Sequence, residues 1–267
     1  MRLAVRHVTR YAYEAPVGYG VQQLRLNPRD GAGQSVEAWR IDLDGAEEVL
    51  RFDDHNGAAV ILVAIEGASE VRVVCEGAVS VEEGRAGVSG AHAGALPLWA
   101  YLRRTPLTEP DAAVRALAEA VPAAPDDPAW GHLLMAAIRE SVAYEIGATG
   151  VATSAAQALA DGRGVCQDQA HLFVSAARTL GIPARYVSGY LMMNDRVEQD
   201  ATHAWAEIHV PGIGWTGFDV ANGISPDARY IRLAAGLDYA EAAPIRGTLF
   251  GGAGEELTVE VQVQQQQ

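Results

Sequence analysis

The sequence predicts an α+β protein. Residues 1–85 form an antiparallel β-sandwich or small barrel in this reading, and residues 96–267 a second unit of helices, then strands, then a β tail. Three observations predict it. Period-two alternation and turn signals fill the first third of the chain. A Gly/Ala-rich stretch without period, Glu82 to Ala95, separates that third from the remainder of the chain. Beyond it, apolar residues recur at helical spacing before alternation returns.

Each element has its own signal. Leu3, Val5 and His7 alternate with polar neighbours. In "VEAWRIDLDG", Glu37, Trp39, Ile41 and Leu43 share the face taken as buried, and Val36, Ala38, Arg40 and Asp42 share the other. Asn56-Gly57 is a tight-turn signal ahead of the apolar run "AAVILVAI". "EVRVVCEGAVSV" puts Val71, Val73 and Cys75 on one face. In the second unit, "EPDAAVRALAEAV" opens on proline and acidic residues, as helices do. "DDPAWGHLLMAAIRESVAYE" opens the same way, with Trp130, Leu133, Leu134, Ala137, Ile138 and Val142 as its apolar stripe. "TSAAQALADGRG" predicts a short helix capped by Thr153 or Ser154 and ended by Gly162. Another helix runs from Cys166 and stops at Gly181. Strands come next in "ARYVSGYLM", "HAWAEIHV" and "GWTGFDV", the last two joined through "PGIG". The tail "ELTVEVQVQ" alternates again and is expected at a sheet edge. No internal repeat is visible.

Composition excludes several classes. The chain carries 20 basic and 34 acidic residues, a net charge of −14. No Lys/Arg cluster is available to neutralise phosphates, so neither nucleic acid nor an anionic membrane is expected as a partner. No apolar run reaches the ~18 residues that span a bilayer. The N-terminus lacks a continuous apolar stretch and is taken as a strand, not a signal peptide. Two cysteines far apart argue against a disulfide framework, and a reducing, cytoplasmic setting is the default expectation. Zinc would need three or four ligands, and no C-x-x-C or H-E-x-x-H occurs. Neither glycine-rich nucleotide motif is present. No cofactor or metal is expected, and a homo-oligomer is left open.

"GRGVCQDQAH" is where the sequence points to chemistry. A thiol becomes a strong nucleophile on ionising, and a free cysteine does so near pH 8.5. A helix N-terminus presents unpaired N–H groups and partial positive charge, which favour the thiolate. Gly162 and Gly164 let the chain turn sharply and keep bulk from the sulfur. The Cys166 N–H is also placed to hold an oxyanion. Such a nucleophile needs a base and an orienter. "THAWAEI" supplies His203, and "GWTGFDV" supplies Asp219. A hairpin centred near Pro211-Gly212 would set the two directly across from each other.

These segments, "GRGVCQDQAHLFVSAARTLGIPARYVSGYL", "THAWAEIHVPGIGWTGFDVANG" and "GLDYAEAAPIRGTLFGG", resemble the bacterial transglutaminase-like family of the transglutaminase/papain-like cysteine protease superfamily. The N-terminal β part is similar to the region that precedes the core in these proteins. The resemblance covers almost the whole chain. It implies a papain-like α+β core with a Cys-His-Asp triad on Cys166, His203 and Asp219, and acyl transfer at amide bonds. Many relatives resemble "GVCRDFAH" where this chain has "GVCQDQAH", so Gln167 and Gln169 change the setting and leave the triad intact. Animal transglutaminases use calcium; no Asp-rich calcium loop is present, and calcium is not expected.

Blander readings compete for each residue. Cys75 is taken as a packing residue. Asp168 suits the helix dipole and is carried as a candidate substrate contact. His171 falls off the Cys166 face and is taken as structural. Trp205 is a candidate wall of the site. Tyr190, Asp238 and Tyr239 lie in family-like segments and are candidates for the cleft rim. The function expected is hydrolysis of a peptide or protein amide. The alternatives are transamidation of glutamine and a non-catalytic module that binds peptides or partners. An arylamine acetyltransferase fits the flanking motifs poorly.

Overall fold

The computed structural model describes residues 1–85, 87–124, 127–199 and 201–266. Seven strands open the chain: β1 (Arg2–Ala12), β2 (Val17–Asn27), β3 (Gln34–Asp44), β4 (Glu47–Asp53), β5 (Ala59–Ile65), β6 (Glu70–Val81) and β7 (Val88–Gly90). A 3-10 turn at Leu98–Leu102 leads to α1 (Ala112–Glu119), α2 (Pro128–Ser141), β8 (Ala143–Tyr144), α3 (Ala155–Asp161), β9 (Arg163–Gly164) and α4 (Cys166–Thr179). Then come β10 (Ala184–Leu191), β11 (Glu198–Gln199), β12 (His203–Val210), β13 (Gly214–Phe218) and β14 (Tyr230–Gly236). The short α5 (Tyr239–Ala242), β15 (Ile245–Gly251) and β16 (Glu256–Gln266) finish the fold.

Two antiparallel sheets, ordered β11-β16-β1-β6-β3 and β15-β2-β5-β4, share one core. Leu3, Val5, Val73 and Cys75 from the first meet Leu24, Leu26, Ile61 and Val63 from the second. The sequence placed the C-terminal tail with the second unit. Its strands instead complete the first: β16 pairs with β1 along its whole length, and β15 pairs with β2. Alternation predicts a strand but not its partner, and Val261 and Val263 are buried only because β1 lies alongside. The Gly/Ala-rich linker is also partly structured, since β7 adds an edge to the core sheet beside β13.

β3 departs from the expected faces. A register shift between Val36 and Ala38 inserts an extra residue. This bulge turns Val36 onto the core and sends Glu37 out to bond Arg2, while Trp39, Ile41 and Leu43 stay inward. On α2, Leu133 is exposed and Met135 is buried in its place, because the helix presents Trp130, Leu134 and Ile138 to α4.

The core sheet runs β14-β10-β12-β13-β7. One face carries α4, where Leu172, Phe173 and Ala176 pack on Ala206, Ile208 and Val210. The other face packs Tyr190, Ile231 and Leu233 into the N-terminal sheets. Arg178 anchors the far end of α4, bonding the carbonyls of Tyr101, Ala184 and Leu237. No described helix is long and apolar enough to cross a membrane.

Candidate active site

Ser154 caps α3, accepting from the Gln157 N–H, and Gly162 ends it in the left-handed region at φ 65°. Four residues later the chain begins α4, with Cys166 in its first turn. The N-cap is Val165, whose side chain cannot accept a hydrogen bond. The first N–H groups of α4 are therefore left without a side-chain cap beside the sulfur. Asp168 holds the turn from inside: its Oδ2 accepts from the Val165 N–H at 2.8 Å and from the Thr149 hydroxyl at 2.6 Å. Gly164 makes room for it, since a Cβ there would lie 2.8 Å from both Cβ and Oδ2 of Asp168.

His203 opens β12 and Asp219 lies just past the end of β13. The observed register sets Ala206 opposite Phe218 and Val210 opposite Gly214. Continued by one residue, it places Asp219 next to Trp205 and diagonal to His203, not directly across as the sequence suggested. The hairpin is centred one residue later than "PGIG" implied. The slip in pairing is two positions, so both side chains stay on one face. His203 Nε2 meets Asp219 Oδ2 at 2.6 Å. Nδ1 is then the ring nitrogen left to face Cys166, which lies near enough to help raise the imidazole.

The electrostatics stem from these contacts. Burial alone would lower the His203 pKa, but the charge and hydrogen bond of Asp219, helped by Cys166, outweigh it and push the imidazole up to about 10. Burial would raise the Asp219 carboxyl. His203, Tyr230 and Asn222 reverse this and hold it below its usual range. Cys75 behaves oppositely to a reactive thiol: burial in the β core pushes it up to about 12.

The fold has counterparts among known proteins. Residues 115–220 match the transglutaminase-like superfamily core, and residues 3–80 match the bacterial transglutaminase-like N-terminal region. An uncharacterized protein of Mycobacterium leprae is 30% identical over 276 residues, covering 98% of each chain. The chain belongs to the transglutaminase-like superfamily. An uncharacterized protein of Mycobacterium tuberculosis is 38% identical over 130 residues, 45% of this chain and 41% of its own length. A crystal structure of a "putative cysteine protease" from Cytophaga hutchinsonii shares the fold, with a TM-score of 0.77 at 20% identity over 100% of this chain and 92% of that one.

Within this transglutaminase-like core, the remaining candidates divide. Trp205 is buried and stacks on His203 at 6.4 Å between centroids, behind the imidazole. Tyr239 packs half-buried in the small apolar cluster that also holds Cys166 and Tyr186. Asp168 does not face a cleft. It is fully buried, and its Oδ2 is committed to Val165 and Thr149, while Oδ1 has no partner among the described residues. Tyr190 is not at the rim either. It alternates onto the other face of β10 and bonds His7 Nδ1 at 2.9 Å inside the β core. Asp238 caps α5 through the Glu241 N–H. His171 accepts from the Tyr239 N–H, and burial lowers its pKa to about 4. Among the described residues, no group of three or more His, Cys, Asp or Glu side chains is arranged to hold a metal.

Three residues at the site were not singled out from the sequence. Asn222 donates to Asp219 Oδ2 at 2.7 Å, and Tyr230 does so at 2.6 Å. Half-exposed Tyr144 stands near enough to Cys166 and Asp219 that their charge, after burial, helps push its phenol up to about 12. Asn222 sits within "FDVANG", where an Asx-type turn after Asp219 was open to recognition. Tyr230 and Tyr144 reach the site only through the paths of β14 and β8.

Proposed function

We propose that the protein is a cysteine-dependent acyl-transfer enzyme that hydrolyses a peptide or protein amide. The observation that carries this is His203, bonded to Asp219 through Nε2 and standing beside the Cys166 thiol at the start of α4. In the proposed cycle the Cys166 thiolate attacks the carbonyl carbon and forms a C–S bond. The uncapped N–H groups of α4 hold the oxyanion. The His203 imidazolium gives its proton to the leaving amine as the C–N bond breaks. Water then attacks the thioester, His203 takes a proton from it, and the C–S bond breaks to release the carboxylic acid. Asp219 holds the imidazole tautomer throughout. Water is the favoured acceptor because Cys166 is only half-buried and Tyr144 beside it is half exposed.

The test is the pH dependence of alkylation at each cysteine, read by mass spectrometry. Buried Cys75 is the internal reference. Cys166 is expected to alkylate much faster than Cys75, and to lose most of that advantage in His203→Ala. An identical profile in both proteins, or full turnover by Cys166→Ala, overturns the reading. Incorporation of an amine into a glutaminyl peptide at the expense of hydrolysis would reassign the acceptor.

A further inference from the structure

Three donors converge on a single oxygen of Asp219. Oδ2 accepts from His203 Nε2 at 2.6 Å, from the Tyr230 hydroxyl at 2.6 Å and from Asn222 Nδ2 at 2.7 Å. Among the described residues, Oδ1 receives only the Asn222 backbone N–H, at 3.3 Å. A carboxylate oxygen offers about two lone-pair sites, so three donors on one atom compete. Asp219 is fully buried, so water does not relieve that competition. Tyr230 comes from a different strand, β14, and is itself buried, its ring edge-on to Trp205 at 5.6 Å. Its proton is secure: burial, then the Asp219 charge, drive the phenol far above its ordinary range. It can act here only as a donor.

We propose that Tyr230 is a positioning residue for His203: its hydroxyl shares Asp219 Oδ2 with the imidazole, fixing the carboxylate and limiting how tightly it grips the imidazolium. The inference rests on the acyl-transfer reading for its catalytic consequence. An imidazolium held too strongly is a poor acid toward the leaving amine. By taking part of the Oδ2 charge, Tyr230 keeps the proton on His203 transferable while Asp219 keeps the ring oriented.

Other ionisable groups face this cluster. Cys166 approaches from α4 and Tyr144 from β8. Asp227 and Arg229 approach from the turn before β14, and Arg196 faces Tyr144. Asp227 and Arg229 pair with each other at 2.6 Å, which limits their net field at Asp219. Substitution at Tyr230 and Cys166 leaves all the others in place.

The experiment uses the full chain with Cys166→Ala, so that the thiolate no longer contributes. His203 is titrated by NMR of histidine-labelled protein, with and without Tyr230→Phe. The phenylalanine keeps the ring against Trp205 and removes only the hydroxyl. The expected result is a His203 midpoint higher by about half to one pH unit, roughly half of what a whole hydrogen bond to a charged group is worth, since only part of it passes to the imidazolium. A merely structural role gives a different sign: loosened packing admits water, screens Asp219 and leaves the midpoint unchanged or lower. Either of those results overturns the proposal. A second measurement covers a variant that fails to fold. The Tyr230 hydroxyl proton should exchange slowly in the unsubstituted chain and lose its protection in Asp219→Asn; its absence from the unsubstituted chain also overturns the proposal. Should Cys166 reactivity prove independent of His203 while the midpoint still rises, the acyl-transfer reading fails and the Tyr230–Asp219–His203 linkage stands.

Discussion

His7 joins β1 to the core sheet, and acid should act on that joint. The residue is buried, with Nδ1 2.9 Å from the Tyr190 hydroxyl and Nε2 3.0 Å from Thr9 Oγ1. Burial without a charged partner lowers its pKa from 6.5 to about 4. A histidine depressed in this way favours the folded state above pH 6.5, and that advantage is lost as pH falls from 6.5 toward 4. At pH 4.5 the unfolded imidazole is almost wholly protonated and the folded one mostly is not. Relative to pH 7.5, linkage makes the loss about 2.5 kcal/mol for this one residue. His171, also lowered to about 4, adds a loss of the same sign. His203, raised to about 10, acts in the opposite sense, its contribution growing mostly between pH 7.5 and 6.5 and little below that, and it is common to both proteins compared. The perturbation is His7→Gln, whose amide can still bond Tyr190 and does not titrate. Urea unfolding of both proteins at pH 7.5 and 4.5 gives the difference of differences, in which every other titrating group cancels. The variant should lose about 2.5 kcal/mol less than the natural chain on acidification. Equal losses in the two proteins would refute the account of His7 as a buried neutral base.

Three further outcomes are expected. Asp219→Asn should lower turnover on any amide substrate by roughly 10²- to 10⁴-fold with little change in KM, since it leaves the imidazole in the wrong tautomer; steady-state kinetics showing near-normal kcat would count against the orienting role. Glu207 is buried between Arg185 and Arg232, with Ser89 as a further donor, and after the cost of burial the two guanidinium groups hold its carboxyl down to about 2. Glu207→Ala strands two cations and should cost about 3–5 kcal/mol in chemical denaturation, and a loss below 1 kcal/mol would contradict the pairing. Gly164→Ala would press a methyl group against the Asp168 carboxylate at 2.8 Å. It should cost about 1–3 kcal/mol and slow Cys166 alkylation, because the Val165 and Thr149 bonds that shape the turn must shift; an unchanged melting temperature and alkylation rate would refute it.

Local chemistry determined much of this protein in one dimension. Alternation, proline and acidic helix starts, Ser154 and Gly162 specified where most strands and helices run, because those signals act within a turn or two of chain. The same range is why Cys166 was legible as a thiol at a helix start, with His203 and Asp219 on successive strands. What lay beyond that range belonged to the tertiary structure. The bulge at Val36–Ala38 and the one-residue shift of the β12–β13 hairpin depend on which partner strand is present. The tail strands β15 and β16 sit with the N-terminal sheets because β1 and β2 offer free edges there. Asp168, one turn into the Cys166 helix, and Tyr190, in a family-like segment, were candidates to meet a substrate, yet one is buried at the start of its own helix and the other under a sheet. Tyr230 shows the reverse. Nothing near it in the chain marks it, and it gains a role only because β14 pairs with β10 and carries its hydroxyl to Asp219. A side chain's identity is written locally, but the partner it meets is set by packing between residues far apart in sequence, and that packing decides the ionisation and hydrogen bonding on which the chemistry depends.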